Sequence, residues 1–321
     1  MKIGLAGVGH LGKIHLKCLL KTKFKISGFY DPDINARLEV EKNFGIRSFE
    51  TIEDLILSSD CVDIVSPTSF HYDIAKKAIQ KGKHVFIEKP LTESLQQARE
   101  LVQLAKTSDV KVQVGHVERY NPAIRSLKGI ELKPGFIEAH RLAIFNPRGT
   151  DVSVVLDLMI HDIDIVLSLI KSEITDVRAN GICIVSPTPD ICNARIEFKD
   201  GSVANLTASR ISMKNMRKIR LFQSDAYISL DFLQKDAQIL RIKDQESDAD
   251  DATMTITTNQ GIKNITLESP TIMQNNAIED ELNDFYEAVV NDKPLSVTIE
   301  DGFRALHLAQ QIEAKIKVVH D

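Results

Sequence analysis

Cysteine is scarce in this sequence, and the little there is cannot organise a fold. Cys18, Cys61, Cys183 and Cys192 are scattered and form no C-x-x-C pair. That usage argues against a disulfide framework and fits a reducing compartment. Long apolar runs are also missing. No stretch approaches the roughly 18–20 apolar residues that a membrane helix needs, so no membrane partner is expected. Met1-Lys2 and the apolar residues after it resemble the start of a signal peptide. Gly4, Gly7, Gly9 and Gly12 break that run, and Lys13 and Lys17 follow it. No export signal is read there, and a cytoplasmic location is expected. Basic runs are absent, and the net charge is −5. Phosphate-backbone binding needs a net basic face, so nucleic acid is not expected as a partner. Metal-loop spacing is lacking too. Asp244, Glu246, Asp248, Asp250 and Asp251 read as a solvated acidic loop. His10, His15 and Cys18 form no closed ligand set, so packing or cofactor contact is expected of them and no metal.

What is present is an ordinary globular mixture, 43% apolar and 26% charged over 321 residues. That length suggests two domains and can bury a large core without staples. Strand-like and helix-like segments alternate over the first 115 residues or so. Ile3 to Ala6, Phe24 to Tyr30, Cys61 to Val65, His84 to Ile87 and Val112 to Val114 read as strands. Ser94 and Gln97 have capping-box spacing at the head of a helix. Such alternation implies a parallel sheet with helices on both faces. The pattern then changes. After a helix over 155–170, strand-like runs follow at 174–184, 191–198, 202–209, 217–223 and 226–232. Asp200-Gly201 marks a hairpin between two of them. No helix intervenes, so a mostly antiparallel sheet is expected. The expected domains are 1–119 and 120–321. Near the end, Ile278, Leu282, Phe285 and Val289 form one apolar helix face.

Gly7-x-Gly9-x-x-Gly12 follows the first strand and opens a helix. Glycines there permit a tight turn and close approach to a pyrophosphate, which the helix N-terminus then faces. The second strand ends at Asp31, placed to bind ribose hydroxyls. A carboxylate there repels a 2′-phosphate, so NAD is favoured over NADP. His10 and Leu11 lie inside the turn and are assigned to the cofactor with the glycines. Polar residues follow the other strands: Ser66-Pro67-Thr68 with His71, then Glu88-Lys89-Pro90, then Gly115-His116 with Arg119 and Asn121. Ligands of open parallel sheets bind outside these strand ends. Ser66, Pro67, Thr68, His71, Glu88 and Lys89 are therefore expected at the cofactor. Lys89, His116, Arg119 and Asn121 are expected at the substrate.

The helix over 155–170 is apolar except for a stripe of Asp157, His161, Asp164 and Ser168, spaced by four, three and four. A mostly buried helix must satisfy such groups against something. One reading is a buried His–Asp pair or a stripe facing water. The other is catalytic, with His161 accepting a proton and Asp157 orienting it.

Taken together, these residues resemble the Gfo/Idh/MocA oxidoreductases, over essentially the whole chain. The marks are Gly7-x-Gly9-x-x-Gly12-x-x-His15, Asp31, Pro67 to His71, Glu88-Lys89-Pro90, Asp157-x-x-x-His161-x-x-Asp164 and Asp301-Gly302-x-x-Ala305-Leu306. The resemblance implies an α/β chain. A Rossmann domain would precede an α+β domain with a large open, mainly antiparallel sheet, through which the chain would form a homodimer or homotetramer. It implies that Lys89 hydrogen-bonds the reacting hydroxyl, that His161 takes its proton, and that Asp157 supports substrate or histidine. It also implies a cis Lys89–Pro90 peptide.

Met159 stands where many members have glycine, and Asp151-Val152-Ser153 replaces a glycine-rich stretch. The run from Asn146 to Asp164 instead resembles a subgroup that oxidises C3 of UDP-N-acetylglucosamine. Arg141 and Arg148 would then meet a diphosphate, since arginine forks match phosphate oxygens; the alternative is that both are surface arginines. Two other functions stay open. One is a dehydrogenase of a free polyol, inositol or aldose. The other is a non-catalytic NAD sensor, which would not need Lys89, Asp157 and His161 together.

Overall fold

The computed structural model describes residues 1–146, 152–244, 254–259 and 261–318. The early strands are β1 (Lys2–Ala6), β2 (Lys25–Tyr30), β3 (Cys61–Ile64), β4 (His84–Glu88) and β5 (Val112–Gly115). They pair in parallel in the order β2-β1-β3-β4-β5. β3 and β5 are buried at every residue, which is why they read as unbroken apolar runs and not as alternating ones. Helices α1 (His10–Leu19), α2 (Ile34–Phe44), α3 (Ile52–Leu57), α4 (His71–Gln80) and α5 (Leu95–Lys106) connect them. Their starts follow local chemistry. Asp33 and Thr51 accept backbone N–H groups at the heads of α2 and α3. Ser94 and Gln97 form the expected reciprocal box on α5.

A short helix, α6 (Pro122–Arg125), leads to β6 (Phe136–Leu142) and then α7 (Ile160–Leu169). The later strands are β7 (Ile174–Ile182), β8 (Ile191–Phe198), β9 (Val203–Ser209), β10 (Met216–Gln223), β11 (Ala226–Asp231), β12 (Asp236–Asp244), β13 (Met254–Thr258), β14 (Gly261–Glu268) and β15 (Ile316–Val318). They form one sheet with β6, in the order β13-β14-β12-β11-β10-β6-β9-β8-β7-β15. Pairing is antiparallel except for β6 with β9 and β7 with β15. The Asp200-Gly201 hairpin joins β8 to β9, with Gly201 at φ +87°. Cys192, Ala194 and Ile196 of β8 lie opposite Ala208, Leu206 and Ala204 of β9, all buried. α7 packs over β6 and β9 on that covered face. Most of the acidic stretch 244–251 lies outside the described residues; Asp244 ends β12 and pairs with Lys263.

The chain divides into two compact units, Met1–Tyr120 with Asn276–His307, and Asn121–Asn275 with Leu308–Asp321. The sequence reading instead runs the second domain unbroken from 120 to the chain end. The difference comes from α8 (Ala277–Val290). Its Leu282 and Phe285 are fully buried among Ile3, Cys18, Leu19, Phe24, Cys61 and Phe86, with Ile278 and Val289 packed beside them. Burying each such side chain is worth about 1.5–3 kcal/mol. Apolar spacing shows that α8 has a buried face; it does not say which partner covers it. A further helix, α9 (Ile299–Lys315), follows.

Candidate functional site

In the parallel sheet, chain order reverses between β1 and β3, and ligands of such sheets bind at that switch point, beyond the carboxyl ends. The glycine turn sits there. Gly7 has φ +98°, and a Cβ on it would lie 2.8 Å from the Ser66 nitrogen. A Cβ on Gly12 would come within 2.1 Å of the Gly7 carbonyl. These two glycines are required by the protein's own backbone. Gly9 differs: a Cβ there meets nothing within 4 Å, so the missing side chain leaves room for an incoming group. Gly9 also heads α1, and no side chain caps that helix. Uncapped N–H groups facing open space suit a pyrophosphate. His10 and Leu11 are exposed in the same turn. Asp31 is anchored beside it: Oδ2 accepts the Val8 N–H at 2.9 Å and Oδ1 accepts the Asp33 N–H at 3.0 Å. Each carboxylate oxygen keeps a further lone pair for ribose hydroxyls.

Gly7, Asp31, Ser66, Lys89 and His116 follow the ends of β1 to β5 in turn. Ser66 and Thr68 are half-buried and Pro67 is exposed. His71 is not open to a ligand. It is 1% exposed, with Nδ1 3.0 Å from the Pro90 carbonyl and Nε2 2.9 Å from the Ser66 carbonyl. It ties the loop after β3 to the loop after β4. Burial lowers its pKa, and the two carbonyls only partly oppose that. Glu88 is also turned inward. Its Oε2 accepts the Lys89 backbone N–H at 3.1 Å, and its Oε1 lies 3.1 Å from His15 Nε2. Lys89 itself is half-buried, and the Lys89–Pro90 peptide is cis. His116 is buried and Arg119 half-buried. Asn121, expected at the substrate, is spent on structure: Oδ1 accepts the Ala123 N–H to cap α6, and Nδ2 donates to the Phe232 carbonyl.

In the other unit, the expected helix over 155–170 begins as one π-helical stretch, Val155–Met159, and continues as α7. Single π-turns widen the spacing from i→i+4 to i→i+5 and recur at functional sites. Asp157 lies within this turn and His161 just after it, both half-buried; Asp164 is buried. Asp162, off the expected stripe, has a definite structural partner. Its carboxylate takes Arg141 in a buried fork, with Nε at 3.2 and 3.1 Å and Nη2 at 2.8 Å. This corrects the reading of Arg141 as a diphosphate ligand. It continues the buried face of β6 after Ile137 and Ala139, so α7 must answer its charge. Arg148 lies outside the described residues.

Sequence reasoning missed Asp63, Gln113 and Glu281, all fully buried. Asp63 Oδ2 lies 3.0 Å from His15 Nδ1. Burial alone would lower the His15 pKa, but Asp63 and Glu88 outweigh it and raise it well above the ordinary imidazole value. The available signal was a polar residue inside an otherwise apolar strand, as in Cys61-Val62-Asp63-Ile64 and Val112-Gln113-Val114.

Residues 1–116 match a profile described as the oxidoreductase family, NAD-binding Rossmann fold, and residues 95–229 match the GFO/IDH/MocA C-terminal domain. The UDP-N-acetylglucosamine 3-dehydrogenase of Acidithiobacillus ferrooxidans is 33% identical over 99% of this chain and 97% of its own length. The chain belongs to the Gfo/Idh/MocA oxidoreductase family. A solved structure of the same Acidithiobacillus enzyme superposes with TM-score 0.88 at 32% identity, covering 98% of this chain and 97% of that one. The scyllo-inositol 2-dehydrogenase (NAD(+)) of Bacillus subtilis is 31% identical over 66% of this chain and 68% of its own. A Lactobacillus casei scyllo-inositol dehydrogenase, solved with NAD(H) and scyllo-inositol, shares the fold with TM-score 0.77 at 23% identity, covering 98% of this chain and 96% of that one. This family member is thus an oxidoreductase whose cofactor is NAD, and its open Gly9 turn and anchored Asp31 fit that nucleotide.

Proposed function

We propose that this oxidoreductase removes hydride from a sugar hydroxyl carbon, C3 of UDP-N-acetylglucosamine or a related nucleotide sugar. The observation that carries the proposal is the likeness to the Acidithiobacillus enzyme along nearly the full length of both chains. NAD, when bound, would supply the hydride acceptor. Lys89 donates a hydrogen bond to the hydroxyl oxygen, His161 takes its proton, and Asp157 orients the imidazole. The products are a 3-keto sugar, NADH and a proton on His161. An imidazole suits a base working near neutral pH, its unperturbed pKa being about 6.5. With Arg141 closed off, Arg148 is the remaining candidate for the diphosphate.

Reduced-nicotinamide absorbance tests the reading. UDP-N-acetylglucosamine is expected to drive NAD reduction, with free N-acetylglucosamine, glucose and inositol far slower. Faster turnover of a free polyol would move the assignment to the second reading, which the Bacillus likeness favours. Lys89→Met should lower kcat by about 10²–10³-fold, the usual cost of losing a donor to a developing oxyanion. NAD affinity by calorimetry should change little. Wild-type turnover in this variant would remove Lys89 from the chemistry.

The large sheet also supports self-association. Phe136, Phe222, Tyr227, Leu240 and Leu267 stand in register across five neighbouring strands. Phe222, Leu240 and Leu267 are 39%, 37% and 52% exposed. A contiguous exposed apolar row marks an interaction surface. A homodimer or homotetramer through this face is proposed, and light scattering should show Leu240→Glu shifting the mass toward monomer. A cytoplasmic location accords with the four free thiols, and cell fractionation checks it.

A further inference from the structure

Four ionisable side chains of the first unit meet beneath the Glu88–Lys89 turn. His15, on α1, has Nδ1 3.0 Å from Asp63 Oδ2 and Nε2 3.1 Å from Glu88 Oε1. Glu281, on α8, brings a carboxyl oxygen within 4.8 Å of both His15 and Glu88. His15, Asp63 and Glu281 are 0% exposed. Neither carboxyl oxygen of Glu281 has a hydrogen-bond partner within the protein. The remaining polar groups nearby do not serve it. Gln113, on β5, donates its Nε2 to the Glu281 backbone carbonyl at 3.1 Å, and the Tyr120 hydroxyl donates to Asp284 at 2.7 Å. Even Gly115 reflects the crowding: a Cβ there would fall 2.7 Å from Glu88 Oε1.

Charge counting narrows what this cluster can be. An imidazole with a carboxylate at each nitrogen is an imidazolium, and an imidazolium has no lone pair for a metal. That imidazolium and Lys89, which also acts on Glu88, cannot together balance three carboxylates out of water, and a buried carboxyl without a partner takes up a proton instead. We propose that Glu281 keeps a proton at working pH and is a positioning residue: as the neutral acid beside the Glu88 carboxylate, it leaves Glu88 free to hold the Lys89 backbone in place. The energetics run the same way. Burial pushes the Glu281 pKa well up, and the Glu88 charge adds to that. Burial would raise Glu88 too, but His15 outweighs it and holds Glu88 below the ordinary carboxyl value. Were Glu281 ionised, two carboxylates would face each other in a dry pocket. The turn carrying Lys89, which Glu88 grips from one side and His71 from the other, would shift. The inference rests on the proposed role of Lys89.

Glu281→Gln tests it, because the amide mimics the protonated acid and cannot ionise. Infrared difference spectra at neutral pH should show a protonated-carboxyl C=O band in the wild type that the variant lacks. The variant's kcat at neutral pH should stay within about threefold of wild type. Raising the pH should lower wild-type turnover as Glu281 ionises, and E281Q should keep its rate further into the alkaline range. Stability follows the same sign. The unfolded chain releases this proton near the ordinary carboxyl pKa while the folded chain keeps it, so this group's contribution declines as pH rises between the two values. The thermal midpoint of E281Q should therefore depend less steeply on pH.

Absence of the infrared band overturns the proposal. So does a tenfold lower kcat in E281Q with an unshifted pH profile, or a stoichiometric divalent metal in the purified protein that E281Q lacks. If the band is present but Lys89→Met remains active, the protonated Glu281 stands and the assignment of Lys89 fails.

Discussion

Replacing His161 with alanine should lower kcat by about 10²–10⁴-fold, the range that a positioned general base contributes. The effect should fall on kcat and on kcat/KM alike, because the proton is transferred only on the way to the transition state. NAD affinity should hold, since the nucleotide elements, the Gly9 turn and Asp31, belong to the other unit of the chain. Added imidazole should recover part of the lost rate by filling the space that the side chain leaves. A histidine that merely satisfied its helix would behave differently. Its loss would lower the thermal midpoint and leave the turnover of the remaining folded enzyme unchanged. Stopped-flow measurement of NADH formation on folded protein separates the two, and a full rate in His161→Ala would end its assignment as the base.

The second large effect concerns stability. Arg141→Ala removes the guanidinium that the buried Asp162 carboxylate takes in a fork, and breaking such a pair from one side costs about 3–5 kcal/mol. Both side chains are almost entirely buried, so solvent screening offers little relief. Urea unfolding should show the loss as a lower midpoint with an unchanged slope. Asp162→Asn should cost a comparable amount. The double variant Arg141→Met with Asp162→Leu should recover much of it, because an apolar pair of similar size carries no desolvation penalty. An arginine serving a diphosphate would give the opposite pattern, a higher KM for the nucleotide sugar at undiminished stability.

The contrast between Arg141 and Gly9 shows what could be read in the chain beforehand. The glycine turn was legible because its requirements are local. A strand, the Gly7 to Gly12 spacing, in which a Cβ on Gly12 would fall 2.1 Å from the Gly7 carbonyl, and a helix start all lie within a dozen residues. The same holds for the Ser94–Gln97 box and the Gly201 hairpin. Arg141 was not legible, because its partner is 21 residues away across a packed sheet and helix. Strands β6, β12, β13, β14 and β15 went unread for a related reason. Their neighbours are set by sheet order, and β6 pairs in parallel with β9, a strand far from it in sequence. Glu88 and His71, expected at the cofactor, follow the strands as read, but both side chains are buried. Strand ends tell which residues reach the working edge, and side-chain direction depends on buried partners such as His15 and the Pro90 carbonyl. Asp157 and His161 were singled out by helical spacing, although the turn between them is π-helical and the regular spacing does not hold there.

The return of Asn276–His307 to the first unit bears on how the protein is made. A ribosome emits the five parallel strands early, yet the helix that covers Ile3, Phe24 and Phe86 emerges only after every strand of the large sheet but β15 has been synthesised. Until then the nucleotide-binding half is a nascent chain with an uncovered apolar face, the kind of surface on which partly made proteins aggregate or recruit chaperones. Domain-by-domain folding during translation, the usual economy of a two-domain chain, is thus held back at the N-terminal half until α8 has been added.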